Sequence, residues 1–240
     1  MMTEKLYLDR MELREFDAHV VSAEGPELVL DRTAFYPAGG GQPSDTGNVA
    51  VGGRQYTVVD VKRSGDDVVH VLDRDFEEQR GTEVHGTIDW GRRYSAMRFH
   101  SAMHLIDGVI RAHFHSSGMC TGGQIYTDHA RIDFDFEGMN REKALEIIEK
   151  ANEVASEGHE ILIKYIPQAE ALENPELVRT EPGRELISRL KTVRVVDIAG
   201  VDMQADGGTH VKNTKEIGRL QLTDFKNNGK RNKRVIVAFC

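Results

Sequence analysis

Cysteine is almost absent: Cys120 and Cys240 stand alone in 240 residues, too few for a disulfide framework. No apolar run is long enough to cross a bilayer as a helix. The opening MMTEKLYLDR lacks the basic, apolar and small-residue order of a secretory signal, so a reducing cytoplasm is the expected setting. Neither G-x-G-x-x-G nor a Walker pattern occurs, which removes the commonest nucleotide-binding readings. There is no internal repeat and no low-complexity tract. What remains is the composition of an ordinary globular protein, 39% hydrophobic and 29% charged, with enough chain for two modest cores.

Positive charge is scarce overall but unevenly so. The net charge of −8 belongs to residues 1–90, where 9 Lys/Arg face 18 Asp/Glu; that leaves 22 against 21 of the totals of 31 and 39. A basic run, KNNGKRNKR from Lys226 to Arg234, carries five cations and no acid. Such a run can hold a phosphate or two, or can equally be a solvated hairpin tip.

The first segment reads as short strands. FDAHVVSA and ELVLD flank EGP, NVAV and QYTVVDV flank GGR, and VVHVLD follows SGDD. β-Branched runs punctuated by turn residues predict a small barrel over residues 1–90. Within it, FYPAGGGQPSDTG places Gly39, Gly40 and Gly41 before Gln42, a stretch whose backbone can take positive φ or approach a partner closely. From about residue 91 the period changes. Met97, Ala102, Leu105, Ile106, Val109 and Ile110 favour one helical face between Arg92 and His113. A second helix, capped by Asn140 and stopped by Gly158, carries Ala144, Ile147, Ile148, Ala151, Val154 and Ala155. EILIKYI, TVRVVDI, RLQLTDF and RVIVAF read as strands, so residues 91–240 form an α+β domain.

HSAMH places His100 and His104 four apart on the first helix, where both imidazoles project from one side. Ser101 occupies the position at which H-E-x-x-H needs its general base, which excludes a metalloprotease of that type. MQADGGTHV adds Asp206 and His210, with glycines between them that let the chain fold both inward. Three nitrogens and one oxygen suit zinc; Asp206 can also be an ordinary turn residue.

HSAMH followed about a hundred residues later by GGTHV, with GGGQ in the first segment, resembles the editing domain of alanyl-tRNA synthetase and the free-standing AlaX editing proteins. The resemblance covers nearly the whole chain and implies an N-terminal β-barrel followed by a synthetase-type editing domain at 91–240. One zinc would be held by His100, His104, Asp206 and His210. The family has cysteine where this chain has Asp206, a harder and less charge-donating ligand. Asp206 then either ligates or holds an attacking water as a base.

The resemblance further implies hydrolysis of the ester of mischarged seryl-tRNA(Ala), and of the glycyl ester, in trans, with alanyl-tRNA(Ala) spared. A synthetase pocket shaped for a methyl group rejects an analogue with one added hydroxyl by only about 10²-fold, so a second site must recognise that hydroxyl. By position after the first histidine, Thr121 in SSGMCTGGQ is the candidate sensor, with Gln124 as the fallback. The expected partner is the acceptor stem and CCA end of tRNA(Ala). Lys230 and Arg231, together with Arg92, Arg93 and Arg98, are expected at phosphates, and Gly39, Gly40, Gly41 and Gln42 near the RNA or the domain junction. No membrane contact is expected, and the oligomeric state is left open. Two rival readings are a non-catalytic RNA-binding module with a structural metal and a metal hydrolase of small aminoacyl esters.

Overall fold

The computed structural model describes residues 3–114, 119–174, 177, 185 and 187–240. The chain divides into two compact units, Met1–Ala96 and Met97–Cys240.

The first unit is a closed six-stranded barrel. Its strands are β2 (Glu15–Glu24), β3 (Glu27–Leu30), β5 (Gly47–Val51), β6 (Arg54–Ser64), β7 (Asp67–Leu72) and β8 (Glu83–Ile88), joined in the order β2-β3-β7-β6-β5-β8 with every pair antiparallel. A short parallel pair, β1 (Glu4–Lys5) with β4 (Arg32–Thr33), lies outside it. Burial alternates along β2, so Phe16, Ala18 and Val20 face the interior while their neighbours face water. The expected strands are all present, and a further strand, β8, closes the barrel. Phe16 lies opposite Gly86 in register, and a Cβ at Gly86 would sit 2.4 Å from the Phe16 ring. The glycine makes room for the aromatic ring.

GGGQ is a tight turn in this unit. Gly39 and Gln42 exchange both backbone hydrogen bonds while Gly40 and Gly41 take φ of 59° and 82° between them. Two such values in succession favour glycine, which has no Cβ to clash. Gln42 is buried, which removes its side chain from the expected RNA contact. Arg93, also expected at a phosphate, is fully buried as well. Its guanidinium is paired with Asp45 and donates to the carbonyls of Met11 and Ala34 at 2.9 and 2.5 Å. An arginine with its donors spent inside the barrel unit holds that unit together.

In the second unit, helix α1 (Trp90–His113), whose first turns belong to the barrel unit, starts two residues earlier than expected, with Asp89 accepting from Arg92 N at 3.1 Å. A four-stranded antiparallel sheet runs β14-β15-β10-β9, made of β9 (Met119–Ile125), β10 (Ala130–Asp135), β14 (Leu220–Asn227) and β15 (Lys233–Phe239). A three-stranded sheet runs β11-β12-β13, from Ile161–Pro167, Thr192–Ile198 and Asp202–Ala205. Helix α2 (Arg141–Glu157) begins at Asn140, whose side chain accepts from Lys143 N, and ends at Gly158 with φ of 87°. Its Asn152 side chain exchanges two hydrogen bonds with the backbone of Leu220, which locks α2 to β14. A short helix, α3, spans Gln168–Glu173. Arg98, a third expected phosphate contact, donates instead to the carbonyls of Glu216 and Ile217 and lies 3.6 Å over the Phe239 ring. No helix among the described residues is long and apolar enough to cross a membrane.

Candidate metal centre

Helix α1 brings His100, Ser101 and His104 into a buried environment, and β13 leads directly into the turn that carries Asp206 and His210. One donor atom from each of His100, His104, Asp206 and His210 lies within 4.8 Å of every other. The imidazole of His100 is 4.4 Å from that of His210 between ring centroids, and His104 is 4.8 Å from His210. Local chain geometry explains the closeness. Asp206 Oδ2 accepts from Gly208 N at 2.6 Å, so the residue is a turn former as well as a member of the cluster. A Cβ on Gly208 would stand 2.1 Å from Cε1 of His100, so only glycine lets the turn close over that ring.

Two further residues, Ser101 and Arg194, hold the site. Ser101 Oγ lies 3.1 Å from His210 Nδ1 and accepts from Val211 N at 3.2 Å. That fixes the ring so that Nε2 points at Asp206 Oδ2, 3.1 Å away. Arg194, buried on β12, donates to the carbonyl of Asp206 at 2.7 Å, while Asp206 N donates to the carbonyl of Arg194 at 3.2 Å. His100 Nε2 is 3.6 Å from Asp206 Oδ1. The sequence carried no signal for either residue, since their partners lie 109 and 12 positions away.

The electrostatics suit a cation. Burial pushes His100 down from 6.5 to about 4, so it is neutral with a lone pair at neutral pH. Burial and the neighbouring His100 carry His210 well below its ordinary value. Asp206 is held well below the usual carboxylate range: burial opposes its charge, but the surrounding histidines outweigh burial. His104 behaves differently. Burial acts against its protonation, yet Asp202, Asp206 and Asp107 together raise it above 6.5. That corner of the site calls for positive charge, which a divalent ion brings. Three imidazole nitrogens and one carboxylate oxygen form a donor set that zinc accepts. Cys120 is not in the cluster; its Sγ lies 3.6 Å from the carbonyl of Gly122.

The other expected site residues of the second unit lie on β9 and in the hairpin between β14 and β15. Thr121 is the unpaired residue of a bulge in β9, exposed, with its hydroxyl donating to the carbonyl of Asp133 at 3.2 Å. Gln124, half-buried, donates to the carbonyl of Ile125 at 3.3 Å. Residues 116–118 of the same stretch lie outside the described residues. In the basic hairpin, Lys230 pairs with Glu137 at 3.0 Å and Arg231 pairs with Asp135, while Lys233 is buried with its ammonium on Asn227 and Gly229.

Sequence comparison bears on this centre. The profile of tRNA synthetases class II (A) matches residues 3–92, and that of the threonyl and alanyl tRNA synthetase second additional domain matches residues 193–236. An alanyl-tRNA editing protein AlaX-M of Saccharolobus solfataricus is 42% identical over 98% of both chains. The chain belongs to the family of alanyl-tRNA editing proteins. A second family member, from Methanosarcina mazei, is 38% identical over 98% of this chain and 95% of its own. The family's likeness to larger proteins is partial: an alanine–tRNA ligase of Ignicoccus hospitalis is 39% identical over 92% of this chain but 24% of its own length. The stretch from 193 to 236 contains Arg194, Asp202, Asp206 and His210, so half of the cluster lies inside the segment shared with the synthetases' additional domain.

Proposed function

We propose that this protein hydrolyses the ester of mischarged seryl-tRNA(Ala), and more weakly the glycyl ester, in trans and in the cytoplasm, sparing alanyl-tRNA(Ala), with one zinc ion held by His100, His104, Asp206 and His210. The observation that carries the reading is the convergence of these four donors, from opposite ends of the second unit, in a chain of the alanyl-tRNA editing family.

When bound, zinc supplies polarisation of the ester carbonyl, orientation of the terminal adenosine, or a more acidic water. The chain's own groups do the rest. His100 and His210 offer neutral nitrogens, kept so by burial. Ser101 holds His210 in one orientation. Asp206 has one oxygen committed to Gly208 N and its other toward His100, from which it can ligate or accept a proton from a water. An aminoacyl ester is already reactive, so positioning and one activated water suffice.

Selectivity falls to Thr121. Its hydroxyl donates to the backbone carbonyl of Asp133, which leaves its lone pairs to accept from the serine hydroxyl. Alanine lacks that donor and gains nothing from the contact. Lys230 and Arg231, both exposed, are the cations proposed to meet the acceptor stem. The backbone at Gly39, Gly40 and Gly41 is a separate proposed point of approach to RNA. A closed site of four protein donors is also the geometry of a structural metal, which would make the protein an RNA-binding module. Incubation of zinc-loaded protein with seryl-, glycyl- and alanyl-tRNA(Ala) separates the two: fast loss of the seryl ester alone supports editing, and survival of all three supports the binding module.

A further inference from the structure

Two carboxylates beside the histidine cluster have no task in the chemistry above. Asp202 and Asp107 are 7% and 1% exposed, and a buried carboxylate is costly unless its oxygens are bonded. They share a donor. Gln204 Nε2 gives one hydrogen bond to Asp202 Oδ2 at 2.7 Å and another to Asp107 Oδ2 at 3.1 Å. The far end of this bridge is anchored in β9, where Cys120 N donates to Asp107 Oδ1 at 3.3 Å. Its near end meets the cluster: Asp202 Oδ2 lies 3.5 Å from Nδ1 of His104. That nitrogen is buried and has no hydrogen-bond partner among the described residues.

The approach is built into the backbone. Gly108, one turn after His104 on α1, lies against the turn between β12 and β13. A Cβ there would be 2.7 Å from the carbonyl oxygen of Val201 and 2.9 Å from Cβ of Asp202. A glycine inside a helix costs about 1 kcal/mol against alanine. Here it lets Asp202 reach the helix face that carries His104.

We propose that Asp202, held by the Gln204–Asp107 bridge, is a positioning residue that keeps His104 in the Nδ1–H tautomer and so presents Nε2 as the ligating nitrogen. An imidazole can ligate through either nitrogen, and the hydrogen bond at the other decides which. Ser101 Oγ stands 3.1 Å from Nδ1 of His210, and Asp202 Oδ2 stands in the corresponding place at Nδ1 of His104. A small ring rotation turns the 3.5 Å contact into a charge-assisted hydrogen bond and makes the opposite nitrogen more basic. The inference rests on the metal reading of the cluster and not on the identity of the ester.

The test is zinc affinity, measured by competition with a chromophoric chelator for wild type, Asp202→Asn and Gln204→Leu, with circular dichroism confirming the fold of each. Asp202→Asn should lose about 10- to 100-fold in affinity, the range typical of partners behind metal-bound histidines, and Gln204→Leu should lose less. Affinities within twofold of wild type in both variants overturn the proposal. Should Asp202→Asn fail to fold, the histidine ring ¹⁵N spectrum of zinc-loaded wild type decides: a protonated Nδ1 on His104 supports the proposal, and zinc on Nδ1 overturns it. Wild type that binds no zinc overturns the metal reading and this inference together. Zinc binding without deacylation overturns the proposed function alone.

Discussion

At the residue scale, the site depends on a few contacts that tolerate little change. His104→Ala should remove zinc binding while leaving the far-UV circular dichroism near that of wild type, because three donors remain but the α1 arm is halved; metal analysis of the purified variant checks it. Gly208→Ala should do nearly as much damage without touching a donor, since its methyl group would occupy the place of the His100 ring. The expected result is zinc content well below one per chain. Thr121→Val keeps the size of the side chain and removes its oxygen. It should narrow the ratio of seryl to alanyl deacylation by about 5- to 30-fold, the worth of one hydrogen bond of about 1–2 kcal/mol. An unchanged ratio moves the sensing role to Gln124.

At the element scale, two predictions concern packing and protonation. Gly108→Ala raises the helix propensity of α1 yet should destabilise the protein by about 1–3 kcal/mol, because the methyl group meets backbone and not a flexible side chain. Chemical denaturation checks the sign. In the barrel, His70 on β7 is fully buried between Thr33 Oγ1 at 2.8 Å and the carbonyl of Leu28 at 3.0 Å, and burial lowers it from 6.5 to about 4. The unfolded chain therefore takes up a proton below pH 6.5 that the folded barrel refuses until about pH 4. Stability should be level above pH 6.5 and fall through that window, by up to about 3 kcal/mol from this group. The thermal midpoint of His70→Gln should depend less steeply on pH between 7 and 4.5 than that of wild type.

These elements also show what could be read in advance. β2, β3, β5, β6 and β7 announce themselves through β-branched residues between turn residues, and α2 through both its caps. β8 hides behind Gly86, whose missing side chain is filled by Phe16. β9 hides behind Gly122 and Gly123, the second of which leaves space for the end of Met103; its Cβ would lie 2.0 Å from Met103 Cε. A glycine that serves a tertiary contact erases the local strand signal. The four cluster residues were legible because each belongs to a short motif. Asp107, Asp202 and Arg194 were not, since their partners come together only through the fold. The arginines misled for the same reason: charge in a sequence does not say whether a guanidinium meets solvent or, like Arg93, spends its donors inside.

At the scale of the whole molecule, net charge of −8 and a hairpin whose cations have acidic neighbours imply modest, salt-sensitive binding to tRNA. The pairs of Lys230 and Arg231 are exposed, at 73% and 78% for the basic side chains, and solvent screens such pairs, so phosphates can compete for them. The double change Lys230→Ala and Arg231→Ala should leave the thermal midpoint unchanged. It should also reduce the slope of log affinity against log salt by about 1–2 in a filter-binding series.

The proposed activity is removal of serine from tRNA(Ala) by the zinc-loaded cluster of His100, His104, Asp206 and His210. Single-turnover deacylation of seryl-tRNA(Ala) and alanyl-tRNA(Ala), by protein stripped of metal and by the same protein restored with one equivalent of zinc, tests it most directly. Stripped protein should be inactive, zinc should restore rapid loss of the seryl ester, and the alanyl ester should survive. Equal rates before and after stripping, or equal loss of both esters, would contradict it.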